Sequence, residues 1–173
     1  AEIIEKSTGK IIEVNNNWFN FGYNYSNLHK KNHYVLSAKF KLKKISIEEK
    51  FYAKGRSHEI IRHRAKRYPT SGTCGSFFRN FFEDEVTLQQ GKKKIIYVAY
   101  YLDKIGIKGT LAVGNAVVSY QHANMIINTG NAKTKDIIAL AKKMQELVYK
   151  NFKIIPQPEC QLIGFDEYPL LKH

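Results

Sequence analysis

The segment TKDIIALAKKMQELVYKNF, residues 134–152, most limits what this chain can fold into. Ile137, Leu140, Ala141, Met144, Leu147 and Val148 recur at helical spacing and make one apolar stripe. Such a stripe belongs to a core rather than to a cofactor box. Thr134 is the expected N-cap, and Asp136 suits the positive end of the helix dipole.

Shorter elements precede it. Ile95, Val98, Leu102 and Ile105 predict a second helix closed by Gly106, and LAVGNAVVS and NMIIN read as short strands around glycine. EIIE and KIIEV predict two strands joined by the turn-prone KSTG. YVLSAKFKL (34–42) sets Tyr34, Leu36, Ala38, Phe40 and Leu42 against Val35, Ser37, Lys39 and Lys41, which predicts a half-buried strand. SIEE (46–49) is a capping box opening a helix that Gly55 interrupts, that resumes from Ser57 and that Pro69 blocks. CQLIGF predicts a closing buried strand after Pro156 and Pro158. Irregular alternation of strands with a few helices predicts an α+β fold.

Charge narrows the partners. With 28 Lys and Arg against 15 Asp and Glu, the 173-residue chain carries +13. Such a field attracts anions, whether nucleic acid, membrane surface or phosphorylated small molecules. Two cysteines make neither a secreted disulfide framework nor a CxxC metal pair, so no metal site is expected. Without a signal peptide or a long apolar run, a cytoplasmic setting is expected. There is no GxGxxG and no P-loop to cradle a nucleotide phosphate.

Several residues could carry chemistry, each with an ordinary alternative. In SGTCGSFFRN (71–80), Cys74 offers a thiol nucleophile and Ser76 a hydroxyl nucleophile or proton donor. Either could simply serve the glycine turn, since the G-x-S-x-G elbow is absent. Arg62, Arg64, Lys66 and Arg67 in RHRAKRYP suit phosphate oxygens or form a solvated helix face. Glu159 stands at the mouth of the expected last strand, where burial favours an acid and exposure an ordinary surface residue. His122 is a ligand or a satisfied structural histidine. Aromatic stretches such as FNFGYNY keep a nucleic-acid-binding module open, although no known RNA or DNA motif appears.

Taken in order, SGTCGSFFRN, YLDKIGIKG, VGNAVVSYQHANMIINTGNAKTKDIIAL and PQPECQLIG closely resemble the C-terminal region of the UDP-N-acetylenolpyruvoylglucosamine reductase (MurB) family. The upstream GKIIEVNNNWFNFGYNYSNLHKKNHYVLSAKFKL resembles the end of that family's flavin-binding region. The resemblance implies an incomplete lobe of the flavin-binding domain over 1–67, an α+β substrate-binding domain over 68–163 and a tail over 164–173. It implies a fragment of an FAD-dependent, NADPH-using reductase of peptidoglycan synthesis, with most of the FAD site upstream of residue 1 and a UDP-sugar as substrate. The stretch between Asn80 and Ala99 is too short for the long insertion that some members carry.

Carried over position by position, the resemblance gives Ser76 the role of protonating the carbon intermediate and Glu159 that of stabilising it. Tyr23, Asn80 and His122 fall at substrate-facing positions. Arg67 and Arg64 fall at basic positions that meet the nucleotide diphosphate. Such chemistry needs donors and a proton source where negative charge builds.

Two positions depart from the family pattern. Asn24 stands where the family has an intermediate-stabilising arginine, and losing that charge-assisted bond costs roughly 1–3 kcal/mol. Either His29, Lys30 or Arg56 substitutes, or activity is reduced, or the chain is an inactive UDP-sugar-binding relative. Phe81 stands where the family usually has proline, a change expected to affect only the turn.

Overall fold

The structure, a computed structural model, describes residues 1–172. It is α+β and divides into two compact units, Ala1–Ala53 and Lys54 onward.

The first unit is built on an antiparallel sheet of β1 (Glu2–Glu5), β2 (Ile11–Glu13) and β3 (His33–Ser37), in the order β2-β1-β3. The turn between β1 and β2 closes where the Gly9 N–H donates to the Glu5 carbonyl at 2.9 Å with Gly9 at φ +68°. Ile3 pairs with Ile12 and Val35 and is fully buried, while α1 (Asn16–Phe19) adds Phe19.

β3 is shorter than its sequence pattern predicts. Its ladder ends at the Glu2–Ser37 pair, and residues 38–42 have no strand partner among those described. Tyr34, Leu36, Phe40 and Leu42, the expected inner face, are all exposed, Leu42 by 85%. Alternation marks which side chains share a face, but only a covering layer buries that face.

Helix α2 (Ile47–Arg67) begins in the first unit and ends in the second. Its capping box forms as expected: Ser46 N–H donates to Glu49 Oε2 at 2.8 Å, and Glu49 N–H to Ser46 Oγ at 3.2 Å. Gly55 does not interrupt it. One mid-helix glycine costs about 1 kcal/mol, too little to break a helix of 21 residues. No residue of α2 is buried.

The second unit holds the main core. Helix α4 (Thr134–Phe152) packs on α3 (Val98–Ile105) and on the sheet formed by β6 (Ala112–Val113), β7 (Ala116–Val118) and β8 (Ile126–Asn128). Leu140, Ala141, Met144 and Val148 are completely buried, together with Val98, Leu102, Ala116 and Val118. Each large apolar side chain buried this way contributes about 1.5–3 kcal/mol. Gly106 ends α3 at φ +77°, as its position predicts.

Two boundaries differ from expectation. Thr134 lies inside the first turn of α4, and the Asp136 carboxylate accepts the Lys133 N–H at 3.0 Å just before it. CQLIGF forms no strand, and Ile163 is 82% exposed. Pairing there is confined to the single bridge Phe78–Pro158, because Pro156 and Pro158 have no N–H to extend a ladder. A small hairpin of β4 (Gln89–Gln90) and β5 (Lys93–Lys94) completes the unit.

Gln145 lies beside the apolar stripe of α4 with no exposure at all. Its amide donates to the carbonyls of Pro156 (2.7 Å) and Leu171 (3.1 Å), and its Oε1 accepts the Leu171 N–H (2.9 Å). This satisfied buried amide fixes the C-terminal tail to α4.

Candidate functional site

Phe77 and Phe78 enter the core with 2% and 1% exposure, and so take their backbone polar groups out of water. Those groups need partners, and one residue supplies most of them. The Asn124 carbonyl accepts the Phe77 N–H at 2.8 Å. Its side-chain Oδ1 accepts the Phe78 N–H at 3.0 Å, and its Nδ2 donates to the Phe78 carbonyl at 2.7 Å. Asn124, itself only 3% exposed, acts as an artificial strand edge. Sequence reasoning passed over it within HANM, where nothing local distinguishes it.

Ser76 sits just before this clamp, half-buried and bridged to Met125. Its approach is a tight turn in which Gly75 has φ +87° and donates its N–H to Thr73 Oγ1 at 3.1 Å. Glu159 arrives from the opposite side, where its N–H donates to the Phe77 carbonyl at 2.8 Å. Ser76 and Glu159 thus flank one residue, Phe77, although they are far apart in sequence. Glu159 is exposed, with no strand around it.

Asn80 ends the same strip. Its Oδ1 accepts the Val98 N–H at the start of α3 at 3.4 Å, and its carbonyl accepts from Arg79 at 2.9 Å. Arg79 forks onto Glu85 at 2.7 and 2.6 Å, with its guanidinium 4.3 Å from the centre of the Phe82 ring. This half-buried pair was not foreseen from sequence; its signal is the arginine between FF and N. Phe81 does more than shape a turn: it is 2% exposed, packs edge-on against Tyr101, and donates its N–H to the Ile96 carbonyl at 2.9 Å.

A second cluster adjoins the first through the turn at 119–125. The His122 Nδ1 accepts the Asn124 N–H at 3.3 Å, which leaves its proton on Nε2. Burial holds His122 below the usual imidazole range, and Arg67 and Lys108 add to this while Asp103 opposes it. Its ring lies 5.3 Å from that of Tyr68, which carries the Arg64 guanidinium at 5.0 Å and that of Arg67 at 5.7 Å. The Gln121 amide donates to the carbonyls of Ala65 (3.0 Å) and Lys66 (3.2 Å), closing the end of α2 and fixing those arginines beside His122. An open groove lined by Arg56, Glu59, His63, Arg64, Arg67 and Tyr68 runs along the helix. Two arginine forks beside neutral donors suit phosphate oxygens. A larger cavity, about 770 Å³, lies at the β4–β5 hairpin and contains none of these residues.

Tyr23 and Asn24 belong to the first unit. They form the corner of a four-residue turn closed by Gly22 N–H to Tyr25 carbonyl (2.9 Å) and the reverse bond (3.3 Å). Asn24 has φ +48°, in the left-handed region that asparagine tolerates better than most residues. Of the expected stand-ins for the family arginine, His29 uses Nδ1 to accept the Ser26 N–H at 3.0 Å, and Arg56 pairs with Glu59 at 3.3 Å.

Among the described residues no helix is long and apolar enough to cross a membrane. Among the described residues, no group of three or more His, Cys, Asp or Glu stands ready to hold a metal ion.

Known proteins resemble this chain in sequence and fold. Residues 67–163 match the model for the C-terminal domain of UDP-N-acetylenolpyruvoylglucosamine reductase. The reductase of that name from Clostridium kluyveri (strain NBRC 12016) is 32% identical over 92% of this chain and 48% of its own length. That from Pediococcus pentosaceus is 30% identical over 95% of the chain and 49% of its own length. The crystal structure of UDP-N-acetylenolpyruvylglucosamine reductase (MurB) from Thermus caldophilus superposes with a TM-score of 0.67 at 26% identity, over 92% of this chain and 50% of that one. The chain spans about half the length of the relatives it matches. It belongs to the UDP-N-acetylenolpyruvoylglucosamine reductase family and matches that family's C-terminal domain.

Proposed function

We propose that this chain is the substrate-handling part of an oxidoreductase that uses NADPH and FAD to convert UDP-N-acetylglucosamine enolpyruvate to UDP-N-acetylmuramate in cytoplasmic peptidoglycan synthesis. The observation that supports it best is the backbone bond from Glu159 to Phe77, which brings Glu159 beside the residue that follows Ser76. In this reading residues 68–163 form the substrate domain, and 1–67 complete a flavin-binding lobe. FAD, when bound, supplies hydride. No glycine-rich phosphate loop occurs in this sequence, so the residues present do not fit the flavin pyrophosphate and no step is assigned to them there.

The chain's own residues bind and protonate. Arg64 and Arg67 hold the diphosphate, and Tyr23, Asn80 and His122 contact the substrate. The Ser76 hydroxyl gives its proton to the carbon that gains negative charge, and Glu159 stabilises that charge distribution from the other side of Phe77. Serine is a poor acid in water, so its position has to be fixed. The Asn124 clamp provides this.

A second reading, a UDP-sugar-binding relative without turnover, rests on Asn24. Substrate-dependent NADPH consumption by the complete protein separates the two. The first reading predicts turnover; the second predicts saturable substrate binding, weakened by Arg67→Ala, without NADPH loss. Binding to any polyanion that falls steeply with salt and ignores Arg67→Ala would contradict both and favour a nucleic-acid-binding module.

A further inference from the structure

Cys74 and Cys160 are the chain's two cysteines, and neither has a part in the proposed reaction. The Phe78–Pro158 bridge and the Glu159–Phe77 backbone bond carry Cys160 back to the loop that holds Cys74. Cys160 Sγ lies 3.9 Å from the Phe77 carbonyl oxygen. The two thiols are close enough to interact, and both are free, with Cys74 exposed and Cys160 partly buried.

The loop around Cys74 is held at both ends. Asn128 N–H donates to the Gly72 carbonyl at 2.7 Å, and Ser76 bridges Met125. A side chain on Gly72 would collide with the Asn128 carbonyl at 2.6 Å, so this anchor is close-packed. Cys74 therefore stays beside Cys160 in the native fold.

We propose that Cys74 and Cys160 are an oxidisable dithiol site, in which Cys74 reacts with a peroxide-class oxidant and Cys160 resolves the product into an internal disulfide. The Cys74 thiolate attacks one peroxide oxygen, the O–O bond breaks, and the departing hydroxide takes up a proton as water. Sulfur has then lost two electrons and is a sulfenic acid. The Cys160 sulfur attacks it, the S–O bond breaks, and the leaving hydroxide takes the Cys160 proton as a second water. Two thiols and one hydrogen peroxide thus give one disulfide and two waters.

The division of roles follows from the contact between the thiols. The hydrogen bond from Cys160 lowers the Cys74 thiol to about 6, against the cost of its own burial. The same contact, with burial, pushes Cys160 up. Thiolate is the reacting form, so the exposed Cys74 is oxidised first at neutral pH. Glu159 and Tyr168 are the other ionisable groups around Cys160, and neither supplies positive charge. The resulting bond ties the loop before Ser76 to the segment after Glu159.

This inference does not rest on the reductase reading, and its test needs no turnover. The chain is exposed to hydrogen peroxide at pH 7, alkylated, digested and analysed by mass spectrometry. The expected product is a linked Cys74–Cys160 peptide pair released by dithiothreitol. It should form at least about tenfold faster in the native chain than in guanidinium, where the thiols are no longer held together. Cys160→Ser should stop at a Cys74 sulfenic acid that dimedone traps, and Cys74→Ser should leave Cys160 slow to react. Equal rates in folded and unfolded chain would overturn the proposal, as would intermolecular dimers in place of the internal bond, or Cys74 passing to sulfinic acid with Cys160 untouched.

Discussion

Replacing Asn124 with alanine removes the clamp on the serine loop, and its cost follows from the bonds it makes. Asn124 and Phe78 are 3% and 1% exposed, so water does not easily replace the lost partners. The Phe78 N–H and carbonyl each lose one hydrogen bond, at 3.0 and 2.7 Å. Leaving one buried polar group unsatisfied costs about 1–3 kcal/mol, so two cost about 2–6 kcal/mol. That is a large share of a domain stability of about 5–15 kcal/mol. Urea unfolding followed by far-UV circular dichroism reads this directly. With a slope of about 1–3 kcal/mol per molar, a 3 kcal/mol loss lowers the midpoint by about 1–3 M. Asn124→Asp keeps an acceptor for the Phe78 N–H but sets a buried carboxylate against the Phe78 carbonyl. Burial raises that carboxyl's pKa, so this variant should regain stability as pH falls, when a proton restores the donor. A midpoint shift of Asn124→Ala below about 0.2 M would refute the reasoning, since it would mean the Phe78 backbone is not dependent on this side chain.

Three further outcomes are expected. Phe81→Pro, although it installs the residue usual in the family, should destabilise the chain by about 3 kcal/mol or more, because it loses the N–H to Ile96 and a buried ring; a neutral effect on thermal unfolding would contradict this. Asn24→Arg should lower stability by about 1 kcal/mol through its positive φ, so any gain in turnover has to be measured beside the urea midpoint; unchanged stability would argue against the left-handed turn. Because His122 is depressed in the folded state, its contribution to stability is present above the ordinary histidine pKa of about 6.5 and is lost as pH falls through its lower folded value. His122→Gln should flatten that part of the pH–stability profile, and an unchanged slope would count against it.

The parts of the fold legible in sequence are those where one periodicity decides burial. The stripe of α4 and the glycine that ends α3 are of this kind. Pattern alone could not size β3, because alternation assigns residues to faces without saying whether anything covers them. Nor could propensity decide Gly55, since about 1 kcal/mol is small beside a helix of 21 residues. Asn124 and Gln145 escaped notice for a different reason: a buried amide is identified by backbone partners that only the tertiary fold brings to it. Local reading gave both Cys74 and Ser76 an ordinary place in one glycine turn. The family resemblance chose between them, and the structure adds that Ser76 shares Phe77 with Glu159.

In the proposed reaction Ser76 delivers the proton in the substrate half. The direct measurement is stopped-flow kinetics of the complete protein carrying Ser76→Ala, with the NADPH-side and substrate-side steps followed separately. The expected NADPH-side rate lies within a factor of about two of the parent's. The substrate-side rate should fall by about 10²–10⁴, with substrate still bound. A substrate-side rate equal to that of the parent would contradict this role of Ser76.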